Sequence, residues 1–181
     1  MVVRIPYPVV SSKYCTVSSE VATMDFLRSS GLPIPQVYGY SATQDNAAKT
    51  EYIFMEYVRG KKLSDALDEL EESDIVSISQ QIVHIESRIM SMPFPAGGSL
   101  YYTDTLEKDG TAHIPLENKR FSIGPDTSLV MWHGRRAQLD VDRGPCKPLP
   151  DACIKSCTNN GRRQKRRGDT HSSSSKGNSL P

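Results

Sequence analysis

Cysteines and paired acidic residues are the side chains of this sequence that could hold a metal ion. Three of the four cysteines, Cys146, Cys153 and Cys157, lie close together near the carboxyl end, but their spacing matches no common zinc pattern. We therefore predict free thiols. Asp140 and Asp142 could form a metal-binding pair, although the same spacing is typical of a solvated turn, which we favour. We assign no metal ligand and no catalytic residue.

A run of basic residues at 162–167 could bind nucleic-acid phosphates or act as a nuclear-import signal. Residues 146–181 contain eight Lys or Arg and two Asp, whereas the net charge of the whole chain is +1, so residues 1–145 carry a net charge of −5. The basic segment is also rich in serine and poor in apolar residues, and it cannot offset the entropy cost of ordering. We predict a disordered tail from about residue 150 and do not expect nucleic acid to be the partner.

Short runs of β-branched and aromatic residues predict strands at 2–5, 35–40 and 51–58. The polar stretch 41–50 has the length and composition of a hairpin loop. We therefore expect a small antiparallel sheet. No apolar run is long enough to cross a membrane, and the first residues resemble neither a secretory signal nor a basic presequence. We accordingly expect no membrane partner and take a cytoplasmic location as the default.

Besides a short helix marked by Leu63, Ala66, Leu67 and Leu70, two longer helices are predicted from apolar residues at helical spacing. In the first, Ser18 or Ser19 offers an N-cap and Glu20 falls in the first turn, while the predicted apolar face is Val21, Met24 and Leu27. The second helix carries isoleucines at alternating steps of three and four, which places them on one stripe. These are Ile75, Ile78, Ile82, Ile85 and Ile89.

Residues 93–150 are rich in proline and glycine and have few periodic segments. We predict that this region is ordered but irregular, with Trp132 and the tyrosines near residue 101 as packing residues. The chain is long enough for one domain with its own core.

The order of these elements resembles the small lobe of the protein-kinase fold. Within that fold, several segments look like fungal aminoglycoside-phosphotransferase-like proteins, particularly the group called altered inheritance of mitochondria protein 9. The matching segments are residues 2–6, 19–24, 32–37, 54–63, 98–102, 121–125, 132–134 and 139–145. The resemblance implies an α+β fold, with a partial kinase-like domain over 1–145 followed by the basic, Ser-rich tail over 146–181.

The resemblance also implies roles for five residues in binding ATP. Arg4 occupies the place of a basic residue that faces the nucleotide phosphates, and Glu20 that of the carboxylate that orients it. Met55 corresponds to the residue at the back of the adenine site. The backbone groups of Glu56 and Val58 correspond to those that bond the adenine edge.

Enzymes of this kind also need an Asp that receives the substrate proton and a second Asp that holds Mg²⁺. None of the four histidines begins a His-x-Asp-x-x-x-x-Asn loop. We therefore expect a phosphotransferase-family chain that is truncated at both ends, binds ATP and Mg²⁺ unproductively if at all, and is inactive alone. The alternatives are an interaction protein that docks through the isoleucine stripe and a role for the basic tail. The resemblance also suggests a mitochondrial location.

Overall fold

Two small antiparallel sheets and five α-helices form the part of the chain that the computed structural model describes, which is residues 1–7, 12–132, 134–139 and 141–147. The strands are β1 (Val2–Arg4), β2 (Val37–Ser41), β3 (Tyr52–Met55), β4 (Ser99–Tyr102), β5 (Ile114–Pro115) and β6 (Phe121–Gly124). The helices are α1 (Lys13–Ser29), α2 (Leu63–Ala66), α3 (Glu72–Met90), α4 (Thr103–Lys108) and α5 (Leu129–Trp132). Short 3₁₀ helices cover Leu67–Glu69 and Gly134–Gln138. None of the described helices is both long and apolar enough to cross a bilayer.

The first sheet contains the three predicted strands in the order β1-β3-β2, with both pairs antiparallel. Arg4 lies opposite Ile53, and Val2 lies opposite Met55. Ile53, on the central strand, is almost completely buried, whereas all three residues of β1 are exposed. The central strand therefore contributes the buried side chain of this sheet, and the first strand contributes none.

The first helix begins earlier than its sequence suggests. It starts at Lys13 with Ser12 as its N-cap residue, and no acidic residue lies in its first turn. The predicted start at Ser18 or Ser19 is wrong, and Glu20 lies in the middle of the helix. Ser18 and Ser19 are instead buried. Because helix formation in proteins depends mainly on packing, burial of this turn outweighs the capping preference of serine.

Both sheets pack against α1. Val17 and Val21 form one buried cluster with Ile53 of the first sheet. Ala22 lies in a second cluster with residues of the other sheet, and Phe26 packs against it. Apolar residues thus occupy two sides of the helix. The predicted single face is incomplete, since Met24 and Leu27 are only half-buried.

The region 93–150 contains a second sheet, so its prediction as irregular is wrong. The strand order is β4-β6-β5, and β4 aligns with β6 from the Ser99–Gly124 pair to the Tyr102–Phe121 pair. Phe121 is fully buried and meets the ring of Phe26 edge to face at 5.4 Å. Strands of two to four residues are too short to show an alternating apolar pattern.

Trp132, a predicted packing residue, ends α5 and contacts two residues outside the second sheet. Its indole Nε1 donates a hydrogen bond to the Asp126 carbonyl oxygen at 2.6 Å. The guanidinium of Arg143 lies 4.1 Å from the centre of its ring, which is within cation–π range. The backbone then returns to the second sheet, where Gly97 and Cys146 exchange two hydrogen bonds of 2.8 and 2.9 Å.

The predicted isoleucine helix is α3, which is capped at its start by reciprocal bonds between Glu71 and Asp74. No residue of α3 is buried among the described residues. The stripe is therefore largely open to solvent in this chain. At the other end of α3, Arg88 donates a 2.7 Å hydrogen bond to the Ser30 carbonyl oxygen, which ties the helix to the end of α1.

The compact unit that holds these elements runs from Met1 to Pro148. The proposed domain boundary at 145/146 stays a prediction. The predicted disordered tail, its basic run and the cysteines Cys153 and Cys157 lie outside the described residues.

A partly buried ion pair joins the start of α1 to the residue before β3 and predicts a pH-dependent stability. Lys13 Nζ lies 3.5 Å from Glu51 Oε2, and the Glu51 side chain is buried. Burial raises the pKa of Glu51, but its own backbone hydrogen bond, Lys13 and Gln44 together hold the pKa below its usual value. A lowered pKa stabilises the fold above the unfolded-state pKa of about 4.3, and this stabilisation is lost as the pH falls through the folded-state pKa.

We therefore expect Glu51→Gln to lower the free energy of unfolding by about 1–3 kcal/mol at pH 7. The difference from the wild type should persist to about pH 5 and shrink below about pH 4. Urea unfolding at several pH values measures it, with Glu117→Gln as the control because Glu117 is exposed. An equal difference at pH 7 and pH 3.5 would show that the carboxylate charge is not responsible.

Candidate functional site

An ion pair between the first strand and the first helix is the charged centre of the candidate site. Arg4 Nη1 on β1 contacts Glu20 Oε1 on α1. Residues directly opposite each other in an antiparallel pair point to the same face of the sheet. Arg4 lies opposite Ile53, whose side chain packs on α1, so the Arg4 side chain also points toward the helix.

This pair leaves the cation accessible. The Arg4 side chain is 51% exposed and that of Glu20 is 24% exposed. A pair so exposed contributes under about 1 kcal/mol to stability. Arginine has five N–H donors, and one carboxylate contact leaves others for an anion. Arg4 therefore contacts Glu20 and keeps further N–H groups on a side chain that is half exposed.

Met55 forms the apolar part of the same face. It ends β3 and lies opposite Val2 on one side and Val37 on the other. Its half-buried side chain packs against the buried cluster that contains Ile53. Because alternate residues of a strand share a face, Met55 and Ile53 point to the side where Arg4 and Glu20 meet.

The segment after β3 is held by Glu56. Its backbone N–H donates to the Gln36 carbonyl oxygen at 2.8 Å. Its side-chain Oε2 accepts a 3.1 Å bond from the Gln36 N–H and lies 3.6 Å from Arg28 Nη1. The sequence suggested no role for this carboxylate. No sequence pattern indicates this role, because Arg28 and Gln36 are far from Glu56 in sequence and contact it only in the folded chain.

Two backbone groups of the same segment lack a hydrogen-bond partner among the residues that the structure describes. No hydrogen bond joins the Glu56 carbonyl oxygen or the Val58 N–H to another described residue. The Val58 side chain is exposed. Val58 lies five residues beyond Ile53, which is up to about 17 Å along an extended chain. The structure thus places Arg4 and Glu20 in contact. Glu56 and Val58 lie apart from this pair, in the segment after β3, and Met55 lies between the pair and this segment.

Among the described residues, this arrangement presents a cation at one end and a backbone donor and acceptor at the other. Across the described ranges, no group of three His, Cys, Asp or Glu side chains could hold a metal ion. The Asp142 carboxylate accepts a bond from the Gly144 N–H at 2.9 Å, as in a turn, while Asp140 lies outside the described residues.

Comparison with known proteins finds fungal relatives. The chain is 43% identical over 151 residues to a subtelomeric hrmA-associated cluster protein of Aspergillus fumigatus, a match that covers 83% of this chain and 29% of that protein. It is 35% identical over 141 residues to the mitochondrial altered inheritance of mitochondria protein 9 of Scheffersomyces stipitis, which covers 69% of this chain and 22% of the relative.

A third relative, the protein of the same name from Zygosaccharomyces rouxii, is 31% identical over 154 residues, with 72% of this chain and 24% of the relative covered. No protein-family model and no solved structure matches the chain. The chain is a homologue of these fungal proteins, and it spans less than a third of the length of the curated relatives it matches.

Proposed function

We propose that this chain carries the nucleotide-facing surface of an ATP-dependent phosphotransferase and does not transfer phosphate by itself. The contact between Arg4 and Glu20 carries the proposal. A guanidinium oriented by a carboxylate suits the oxygens of a polyphosphate.

The strand order supports this proposal. Because β3 lies between β1 and β2, Arg4 shares a face with Met55 and lies beside the strand that leads into Glu56 and Val58. A nucleotide at the margin of this face, outside the contact between Ile53 and α1, could meet the cation with its phosphates and the backbone groups of Glu56 and Val58 with its base. The Met55 side chain would then contact the flat face or edge of the base.

The proposal is limited to nucleotide contact. Phosphoryl transfer needs a base for the acceptor hydroxyl and Mg²⁺ to balance the charge of the phosphates. The sequence offers no His-x-Asp-x-x-x-x-Asn loop to supply them. Phosphoryl transfer by the longer relatives is likewise a proposal, and so is any acceptor molecule for the phosphate.

Titration of the ¹⁵N-labelled chain with Mg²⁺ and ATP tests the nucleotide surface. We expect chemical-shift changes at Arg4, Glu20 and the amides of 56–58, with an affinity in the millimolar range, which corresponds to about 4 kcal/mol. Arg4→Met should reduce these changes severalfold because it removes the phosphate partner. No ADP should form above the protein-free rate.

Lys108→Met is the matched control because it removes the same charge from the end of α4. The proposal fails if ATP shifts none of these amides, or if Arg4→Met and Lys108→Met behave alike. ADP formation that requires the chain would overturn the proposal that the chain does not transfer phosphate by itself.

A second candidate function is docking through α3. Ile75, Ile82 and Ile89 are 42%, 45% and 37% exposed. Val76, Val83 and Met90 are also exposed and follow at the next helical position, so they widen the apolar surface. Exposed apolar patches of this kind often mark interaction sites. We propose that the partner is a full-length relative, and that α3 of this chain would be covered in the complex with it.

We expect the chain to co-purify with a full-length homologue and Ile82→Asp to abolish this. A charge at the centre of the stripe would be buried without a partner in the complex. Ser77→Asp, at an exposed position on the opposite side of the same helix, should leave co-purification unchanged. Equal recovery of both variants would exclude the isoleucine stripe as the contact surface.

A mitochondrial location is also proposed, because several relatives carry that word in their names. These relatives give no support to the cytoplasmic default. The nucleic-acid or nuclear-import role of the basic tail stays an untested alternative.

A further inference from the structure

A cavity of about 320 Å³ lies between α1, β2, β4 and the loop before β6. Its lining includes Asp25 and Arg28 of α1, Tyr38 and Tyr40 of β2, and Arg120 of the loop. None of the five residues of the proposed nucleotide surface lines it. The volume is at the lower end of the range for small-molecule sites.

Arg120 is held in place at the cavity wall. Its Nη2 contacts Asp25 Oδ2, and the same oxygen accepts a 2.7 Å hydrogen bond from the Tyr102 hydroxyl. Its guanidinium carbon lies 5.5 Å from the centre of the Tyr102 ring and 5.2 Å from that of Phe121. Even so, 56% of the Arg120 side chain remains exposed. The cation is thus positioned before any ligand arrives.

The cavity has an excess of hydrogen-bond donors. Arg28 uses Nη1 for the Ile34 carbonyl oxygen at 2.6 Å and for Glu56, and Arg120 uses Nη2 for Asp25. Each guanidinium keeps further N–H groups. Asp25 is the acidic residue among the lining side chains, and its Oδ2 already has two partners. A ligand that supplies acceptor oxygens, especially a carboxylate or a phosphate, would satisfy these donors.

Tyrosine rings supply the rest of the lining. Tyr38 and Tyr40 are exposed, and Tyr102 is half-buried under Arg120. Flat aromatic faces favour a planar ring, which can stack against them.

The strand register determines which residues of β2 face α1. Tyr40 lies opposite Ile53, whose side chain packs on α1, whereas Gly39 lies opposite Phe54. Opposite residues in an antiparallel pair share a face, so the Tyr40 side chain points to the side of the sheet where α1 and the cavity lie.

We infer that this cavity binds a small planar anion, an aromatic ring that bears one carboxylate or phosphate. The anionic group bonds to Arg28 and Arg120, and the ring packs against the tyrosines. This site goes beyond the proposed nucleotide surface and does not depend on it.

Calorimetric titration of the 181-residue chain with benzoate and with phenyl phosphate tests the inference. We expect at least one of them to bind, and the stronger of the two identifies the preferred anion. Benzyl alcohol, which lacks the charge, and inorganic phosphate, which lacks the ring, should each bind at least tenfold more weakly. Absence of binding by both aryl anions, or equal binding by either control compound, would overturn the inference.

Two variants assign the binding to this cavity. Arg120→Met and Arg28→Met should each weaken binding at least tenfold, because each removes one of the two residues that bond to the anionic group. Lys119→Met is the charge-matched control because Lys119 is exposed and does not line the cavity. If Arg28→Met fails to fold, as circular dichroism would show, Arg120→Met decides the question. Unchanged affinity in the folded cavity variants would contradict the assignment.

Discussion

The packing of α1 between two sheets is the constraint on which the rest of the described structure depends. Val17 and Val21 are buried toward the first sheet, and Ala22 is buried toward the second. A helix with two buried sides cannot rotate about its axis without exposing one core or the other. At about 25 cal/mol per Å² of apolar surface, either loss would cost several kcal/mol.

This constraint positions the charged groups that α1 contributes to the two proposed sites. Glu20 leaves α1 between the buried residues Ser19 and Val21 and so meets Arg4 on the edge strand. Asp25 and Arg28 lie three residues apart on the same helix, where side chains share a face, and they line the cavity together. Arg28 also reaches Glu56, which links the helix to the segment after β3. The positions of these charges are consequences of packing, because the ion pairs themselves are too exposed to determine them.

The sequence predicted the parts of the fold that have a local signal. The strands at β1, β2 and β3 follow from β-branched and aromatic runs, and α3 follows from isoleucines at helical spacing. The start of α1 was wrong because Ser18 and Ser19 resemble N-caps, yet tertiary packing buries them. The second sheet was missed because β4, β5 and β6 are short and are separated by α4 and turns, so that their pairing depends on residues far apart in sequence.

The candidate site shows the same division. The resemblance suggested that Arg4 and Glu20 act together, and the structure places them in contact. It could not suggest that Arg28 and Gln36 hold Glu56, or that Arg120 joins Asp25 across 95 residues. Such contacts form only when the helix packs in the folded chain, so no spacing in the sequence indicates them.

Native-state hydrogen exchange of the backbone amides tests the central position of α1 most directly. Amides of residues 17–22 should exchange only through global unfolding and give the largest opening free energies in the chain. Amides in the exposed helix α3 should open at a lower free energy. If residues 17–22 exchange as readily as α3, the helix is not held between two cores, and the positions assigned to Glu20, Asp25 and Arg28 lose their physical basis.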